Sequence, residues 1–393
     1  MSFSPADMAP RVKLVLLALL VLAFPFVATQ FGNSWVRIAD IALLYIMLAL
    51  GLNVVVGFAG LLDLGYIAFF AIGAYIAGLL SSPQFATMIE SLQMEYPAAG
   101  EWLLQMLGPV VAANGIHLSV WLIVPIAALV AGVAGALLGA PTLKLRGDYL
   151  AIVTLGFGEI IRIFMNNLNG PVNITNGPQG INLIDPVRIG GVSLAGEAGA
   201  GGIVSLGGLS IPSVSAYYFL FLLLCIATVV ISARLQHSRL GRAWIAIRED
   251  EIAAKAMGIN VRNMKLLAFA MGATFGGVAG AMFGAYQGFI SPESFSLTES
   301  IAVLAMVVLG GIGHIPGVVL GAVLLATLPE VLRHAVEPVQ MALFDHVWIE
   351  AEVLRQLLYG LALVLIMLAR PAGLWPSPRR EDRMVASVGR GAA

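Results

Sequence analysis

Two ionisable side chains inside one long apolar run have types and spacing that could carry chemistry. Glu159 and Arg162 lie three residues apart, so a helix over this run would place both on one face. Burying ionisable groups in an apolar span is costly and often marks function. We expect the pair either to neutralise itself and lock helix packing, or to line a pathway through the protein.

Two aspartates beside apolar runs are further candidates for an intramembrane polar site. Asp148 comes just before the run that holds Glu159 and Arg162. Asp63 lies in the glycine-containing stretch 60–65. We expect Asp63 at a membrane interface, where an aspartate serves more readily as a helix cap than as a ligand.

The sequence lacks the residue patterns of common catalytic sites. None of its lysines follows a glycine, so it contains no Gly-Lys-Ser/Thr phosphate-binding loop. Its five histidines are scattered without metal-ligand spacing, and the single cysteine, Cys225, is expected to be a small core residue. We expect no bound metal or cofactor, so energy for any work must come from ions or from a partner.

Composition predicts an all-α polytopic membrane protein. Hydrophobic residues make up 59% of the chain and charged residues only 11%, against roughly 25% charged residues in a soluble domain. The net charge of -1 gives nucleic-acid binding no support, so lipid is the expected surroundings.

Apolar runs of about 20 residues can cross a bilayer as helices. Clear runs lie near residues 14–31, 38–56, 64–80, 118–140, 149–168, 215–233 and 265–288. The first could instead be a cleaved signal peptide, although its length favours a retained span. The last run, 356–369, is short for a span.

The run 299–328 contains residues that an uninterrupted helix tolerates poorly. These hinge candidates are Gly310, Gly311, Gly313 and Pro316. We predict about ten hydrophobic helical segments in all, including a glycine-broken or re-entrant pair near 299–328. The alternative is one tilted helix there and nine crossings.

Basic residues predict the orientation. Residues 1–13, 141–148, 234–265 and the tail from Arg370 hold 16 of the 21 Lys and Arg residues, so all four are predicted to be cytoplasmic. Residues 1–370 then form one transmembrane domain, followed by a basic cytoplasmic tail, 371–393. The segments 81–117 and 169–214 are predicted to be loops on the opposite side.

A charged loop, 234–264, separates two of the long apolar runs. Through Lys265, this stretch holds seven Lys or Arg residues and three acids. Ala246 to Met257 is predicted to form one helical block that stops at Gly258 and Asn260. A cytoplasmic helix held between spans can receive a mechanical input from another protein.

Glycines in the following run form a second pattern. They recur at three- and four-residue spacing, which gives a helix one smooth face for close packing. The members of this stripe are Gly272, Gly276, Gly277, Gly280 and Gly284. Plain packing is the simpler interpretation, although such faces also suit a protein that rocks between two arrangements.

Several stretches, taken together and in order, resemble the LivM-type permeases of branched-chain amino acid ATP-binding-cassette (ABC) importers. That family includes urea and short-chain amide permeases. The matching stretches are 60–75, 145–162, 176–181, 240–258, 291–295 and 308–313.

The resemblance implies a bacterial inner-membrane permease with both termini in the cytoplasm and 81–117 and 169–214 in the periplasm. It also implies four kinds of partner: a LivH-type second permease, two ABC ATPase subunits of the LivG and LivF type, and a periplasmic amino-acid-binding protein. ATP would be used by the ATPase subunits and not by this chain.

The resemblance further implies that the charged loop is the coupling loop, whose family pattern is Glu-Ala-Ala, three residues, Gly. Ala253, Ala254 and Gly258 fit that spacing. Ile252 occupies the glutamate position, and Glu251 lies one residue earlier. We therefore expect Glu251, Ala253, Ala254 and Gly258 to serve ATPase coupling.

The sequence leaves two questions open, namely the substrate and the class of protein. Branched-chain amino acids are the default substrate, with other amino acids, urea and amides as alternatives. An ion-coupled secondary transporter would also explain the hydrophobicity and Glu159, but it has no need of a docking helix. A membrane enzyme would need a reactive cluster that the sequence lacks.

Overall fold

The computed structural model describes residues 5–142, 145, 147–196, 202–206, 209–344, 346, 351–370 and 373–375, which are mostly helical. The α-helices are α1 Pro5–Ala28, α2 Asn33–Asn53, α3 Ile67–Leu80, α4 Gln84–Glu95, α5 Pro97–Leu107, α6 Pro109–Asn114, α7 Val120–Thr142, α8 Asp148–Asn167, α9 Ser213–His237, α10 Arg239–Glu249, α11 Glu251–Ala256, α12 Val261–Gln287, α13 Leu297–Gly310, α14 Ile315–Phe344 and α15 Ala351–Ala369. Helix α2 continues as a π-helical turn, Val54–Phe58.

Short antiparallel strand pairs accompany the helices. They are β1 Ser81–Ser82 with β2 Ile116–His117, β3 Ile181–Asn182 with β8 Phe289–Ile290, β4 Arg188–Ile189 with β5 Val192–Ser193, and β6 Ile203–Leu206 with β7 Leu209–Pro212. The pairing of β3 with β8 ties the segment 169–214 to the end of α12. The segment 81–117, expected to be a loop, contains the three helices α4, α5 and α6.

The segments 81–117 and 169–214 also contact each other. The Asp185 amide donates to the Ser81 carbonyl oxygen over 2.7 Å. His117 Nδ1 lies 2.6 Å from Asp185 Oδ2, and this hydrogen bond raises the pKa of His117 above its ordinary value. These contacts place the two segments, predicted to share one side of the membrane, against each other.

Six helices of the described residues are long and apolar enough to cross a membrane by length and composition. They are Asn33–Phe58, Val120–Thr142, Ser213–His237, Val261–Gln287, Pro292–Gly310 and Ile315–Arg333. Shorter apolar helices are Ala18–Ala28, Ile67–Leu80 and Val353–Leu365. The chain is therefore a multi-pass, helical membrane protein, and the total of about ten segments stays a prediction.

Helices α2 and α12 lie at the centre of the packing. In the most apolar part of α2, 83% of the residues are buried, against 33% in α7. Cys225, on α9, is buried as expected. Buried side chains from α2, α3, α9, α12 and α13 form one large apolar cluster.

The glycine stripe of α12 is a packing face. A Cβ atom at Gly277 would lie 2.6 Å from the Ala127 carbonyl oxygen of α7, and one at Gly280 would overlap the Phe70 carbonyl oxygen of α3. Carbonyl oxygens of α3 and α7 lie so close to these glycines that no side chain would fit. The backbones of α3 and α7 therefore pack directly against the backbone of α12.

The glycine-rich interruption breaks the helix, as predicted. Helix α13 ends at Gly310 and α14 begins at Ile315, with Pro316 in its first turn. Gly310 packs against Gly317, and Gly321 packs against the Met306 carbonyl, so the two helices form an antiparallel hairpin. The alternative of one continuous helix over 299–328 is therefore wrong.

Candidate functional site

The charged segment folds as two short helices, α10 and α11, and the predicted single block from Ala246 to Met257 is wrong. Asp250 adopts an extended conformation between them. Its Oδ1 accepts hydrogen bonds from the amides of Ile252 (2.8 Å) and Ala253 (3.0 Å). An aspartate that caps a helix start satisfies amides that otherwise lack partners, so Asp250 begins a new helix where an unbroken one was expected.

The predicted stop at Gly258 and Asn260 is confirmed. Gly258 has φ +84°, a conformation that favours glycine. The amides of Gly258 and Ile259 each donate over 3.1 Å to the carbonyls of Lys255 and Ala254, respectively. This pair of hydrogen bonds is the Schellman motif that ends a helix. Asn260 Oδ1 then accepts from the Asn263 amide (3.2 Å) and begins α12.

Two contacts fix the segment to the base of α12. Trp244 of α10 is fully buried, and its Nε1 donates to the Met264 carbonyl oxygen over 2.7 Å. Lys265 Nζ donates to Glu251 Oε2 over 2.8 Å, with the lysine side chain 8% exposed. Glu251 therefore has a partner within the chain. A force on α10 or α11 would reach α12 through these contacts.

Arg248 joins the segment to the π-helical end of α2. Its guanidinium Nη1 donates to the Gly57 carbonyl oxygen. The aliphatic part of its side chain covers Gly60, where a Cβ would overlap the Arg248 Cγ. A positively charged side chain thus satisfies a carbonyl that the irregular turn leaves without a helical partner.

The same segment reaches the break between α13 and α14. The Gly313 amide donates to Asn53 Oδ1 over 2.9 Å, and Gln236 Nε2 donates to the Gly313 carbonyl oxygen over 3.4 Å. Gly313 has φ +81°, and a Cβ there would lie 3.1 Å from Arg248 Nη1. The π-helical end of α2 and the break between α13 and α14 therefore meet the charged segment at one place. Sequence reasoning counted Arg248 only as a basic residue, because partners this distant in the chain leave no local pattern.

The outer face of α11 is apolar as well as charged. Ile252 is 75% exposed and Met257 is 84% exposed. Ala253 is exposed beside them, whereas Ala254 is buried at 4% exposure. The expectation that Ala254 offers a small side chain to a partner therefore does not fit its position. Ile252 and Met257, which the sequence analysis did not propose as contact residues, are the apolar groups that a partner could reach.

Asp63 is buried within the protein and does not cap a helix, so the expectation of a helix cap is wrong, whereas its place at a membrane interface stays a prediction. The residue is 2% exposed, and its Oδ1 accepts from the Gly65 amide over 2.9 Å. Helix α3 begins only at Ile67. The next amide, that of Leu64, donates to Thr154 Oγ1 of α8 over 3.1 Å, so this stretch folds inward against α8.

Glu159 and Arg162 form an ion pair. Arg162 Nη2 lies 2.9 Å and Nε 3.0 Å from Glu159 Oε2, and both side chains are about one-third exposed. Asp148 is exposed in the first turn of α8. It lies about 16 Å from Glu159 along the helix axis. The four polar candidates therefore do not form one site, and their roles in a pathway stay predictions.

Comparison with known proteins identifies related chains. The family described as a branched-chain amino acid transport system permease component matches residues 34–367. The high-affinity branched-chain amino acid transport system permease protein LivM of Escherichia coli is 40% identical over 387 residues, 96% of this chain and 78% of the relative.

Two more distant relatives cover most of the chain. The probable branched-chain amino acid transport permease protein LivM of Methanocaldococcus jannaschii is 26% identical over 344 residues, 85% of this chain and 90% of the relative. The permease protein LivH of Salmonella typhimurium is 25% identical over 337 residues, 86% of this chain and 92% of the relative. No solved structure matches the chain.

Proposed function

The chain belongs to the family of branched-chain amino acid transport system permease components, and from this premise we propose how it works within an ABC importer. This is a family of transport components and not of enzymes. We propose that the chain is the permease subunit that carries branched-chain amino acids through the membrane after a periplasmic binding protein delivers them.

The observation that supports coupling to an ATPase is the attachment of α10 and α11. Trp244 and Lys265 hold these helices to α12, and Arg248 holds them to the end of α2. A movement imposed on α11 from outside would therefore be shared by the central helices α2 and α12. A secondary carrier has no use for such a segment, so the geometry favours the importer.

The proposed assembly contains a LivH-type second permease, two ABC ATPase subunits of the LivG and LivF type, and the binding protein. ATP is hydrolysed by the ATPase subunits, and this chain binds no cofactor. Relatives named LivM and LivH support a system of two permeases. Glu251 and Gly258 shape the coupling segment, Ala253 lies on its outer face, and Ala254 packs inside.

The proposed location is a bacterial inner membrane, crossed by about ten hydrophobic segments of one domain, 1–370. The segments 81–117 and 169–214 are periplasmic, and the loop 234–264 and both termini are cytoplasmic. The basic tail, 371–393, lies outside the described residues except for 373–375. There, the Leu374 amide donates to the Leu309 carbonyl oxygen over 2.9 Å, next to the hinge candidates Gly310, Gly311, Gly313 and Pro316.

Reconstitution tests this function. Proteoliposomes that contain the chain, its companion permease and both ATPase subunits should accumulate leucine only when ATP is inside and the binding protein is outside. Omitting the binding protein, or removing the phosphate-loop lysine of the ATPase subunits, should abolish uptake. Ion-driven leucine uptake by this chain alone would instead support a secondary carrier, and uptake of urea without leucine would support an amide permease.

A further inference from the structure

Helix α8 has an exposed face that carries a charged side chain. Ile152, Gly156, Glu159 and Ile163 follow one another at spacings of four, three and four residues, which places them on one side of a helix. Ile152 and Ile163 are more than half exposed. A Cβ atom at Gly156 would meet no atom within 4 Å. These four residues form the 152–163 face.

The opposite side of α8 packs against the rest of the chain. Thr154 and Gly158 are buried, and Thr154 Oγ1 accepts a hydrogen bond from the Leu64 amide. A Cβ atom at Gly158 would lie 3.1 Å from the Gly65 Cα. The 152–163 face is therefore turned away from the body of the protein and is free to contact another molecule.

The 152–163 face lies within the membrane in the predicted topology. Helix α8 has 20 residues and is therefore about 30 Å long, which is enough to cross the apolar core of a bilayer. It leads from the predicted cytoplasmic segment 141–148 to the predicted periplasmic segment 169–214. Glu159 lies about 16 Å from the start of the helix, close to the middle of the bilayer.

Glu159 is poorly suited to contact with lipid. Charged side chains at this depth face protein or water, because hydrocarbon cannot solvate them. Arg162 neutralises Glu159, but both side chains are still about one-third exposed. Arg162 Nε and Nη2 both approach Glu159 Oε2, and no described residue donates a hydrogen bond to Oε1. A carboxylate oxygen in this position can accept from a donor outside the chain.

The residues around Glu159 suit a neighbouring helix. Alternating spacings of four and three residues are those of packed helix pairs, and a small residue such as Gly156 lets the neighbour's backbone approach closely. A second permease is the membrane-embedded neighbour that the relatives named LivM and LivH support. The LivH relative resembles most of this chain, so a LivH-type companion would have a helix that corresponds to α8.

We propose that the 152–163 face packs within the membrane against a helix of the companion permease, and that this helix brings a hydrogen-bond donor to Glu159. The proposal rests on the two-permease assembly proposed above and adds the surface through which the two chains meet. The contact removes the Glu159–Arg162 pair from lipid and leaves its internal ion pair intact.

Photo-cross-linking in cell membranes tests this surface. The photoreactive residue p-benzoylphenylalanine would replace Ile163 in one version of the assembled importer and Phe164 in another. The two side chains are similarly exposed, at 54% and 58%, but they lie about 100° apart around the helix. Position 163 should give at least fivefold more cross-linked companion permease than position 164.

Ile152 provides a second position on the same face, in case the larger residue at 163 prevents assembly. It should give the same product in similar excess over position 164. Cross-linking to a second copy of this chain would overturn the choice of partner. Equal yields at the face positions and at 164, or no companion product from either face position, would overturn the surface. If these complexes perform ATP-driven leucine uptake in that case, the transport function stands and only the surface assignment fails.

Gly156→Leu tests the close helix contact by a separate measurement. The space around Gly156 can accept the new side chain within this chain, but the side chain would hold a neighbouring helix away. The amount of companion permease that copurifies should fall at least threefold. Phe164→Leu is the control at an exposed position beside the face and should leave copurification unchanged. Unchanged copurification of Gly156→Leu would contradict the proposed contact.

Discussion

Replacing Ile252 and Met257 together with aspartate should abolish ATP-driven uptake and leave the permease folded. Both side chains are at least three-quarters exposed, so their replacement should have little effect on the stability of the folded chain. Apolar anchors at the centre of an interface cost about 2 kcal/mol or more each when lost, which corresponds to about 30-fold or more weaker binding per residue. The measurement is the amount of ATPase subunit that copurifies with the permease, together with leucine uptake.

Leu183→Asp is the matched control for this change. Leu183 is also 75% exposed but lies in the segment predicted to face the periplasm. Its φ of +57° is one that aspartate tolerates. This variant should keep its ATPase subunits. Unchanged copurification and uptake in the double variant would show that α11 does not dock an ATPase.

Variants of Gly258 test whether the backbone conformation of the coupling segment matters for uptake, apart from the side chains on its surface. No atom lies close to a Cβ at this position, so a substitution acts mainly through the backbone. Gly258→Asn should retain most uptake, because asparagine adopts positive φ more readily, and Gly258→Val should lose it. An Ala254→Arg variant would be a poorer test, because Ala254 is buried and misfolding is the expected result.

The second large effect is expected at Gly280, where Gly280→Ala should destabilise the protein. The added methyl would overlap the Phe70 carbonyl oxygen and lie 2.8 Å from the Ala74 amide nitrogen. Both are helix backbone atoms, so α3 must move away from α12, at a cost of about 1–3 kcal/mol or more. The temperature at which detergent-solubilised protein loses its monodisperse peak on size-exclusion chromatography should fall by several degrees.

Gly284→Ala provides the comparison on the same helix face. Its nearest neighbour, the Ala74 carbonyl oxygen, would lie 3.5 Å from the new Cβ, which is an ordinary contact. Alanine favours helices over glycine by about 1 kcal/mol, so this variant should be as stable as the parent or slightly more so. Equal losses at both positions would show that the close α3–α12 contact is not what requires glycine.

Local signals predicted the boundaries of several elements well. The stop at Gly258 and the break at Gly310–Gly313 are backbone properties, and they can be inferred from glycine spacing alone. The glycine stripe of α12 can also be predicted from local sequence, because helical periodicity determines which glycines share a face. The partners of that stripe, α3 and α7, could not be inferred in this way.

Other features could not be predicted from local sequence. They depend on a choice between two local structures of similar propensity, or on contacts between residues far apart in the chain. The sequence Glu249–Asp250–Glu251 is compatible with a continuous helix, and the break appears because Asp250 caps α11. An aspartate beside an apolar run is expected to cap a helix, but Asp63 is buried and caps none. Its burial follows from the packing of Leu64 and Gly65 against α8. The Arg248–Gly57 contact joins residues 191 positions apart, and no local pattern predicts it.

Labelling of single cysteines with an impermeant maleimide tests directly whether the coupling segment can meet a cytoplasmic ATPase. In a Cys225→Ala background, Glu95→Cys and His237→Cys place a thiol at exposed positions on opposite sides of the predicted topology. Intact spheroplasts should label the Glu95→Cys protein at once and the His237→Cys protein only after permeabilisation. Rapid labelling of the His237→Cys protein in intact spheroplasts would put the segment outside the cell, where no ATPase could drive it.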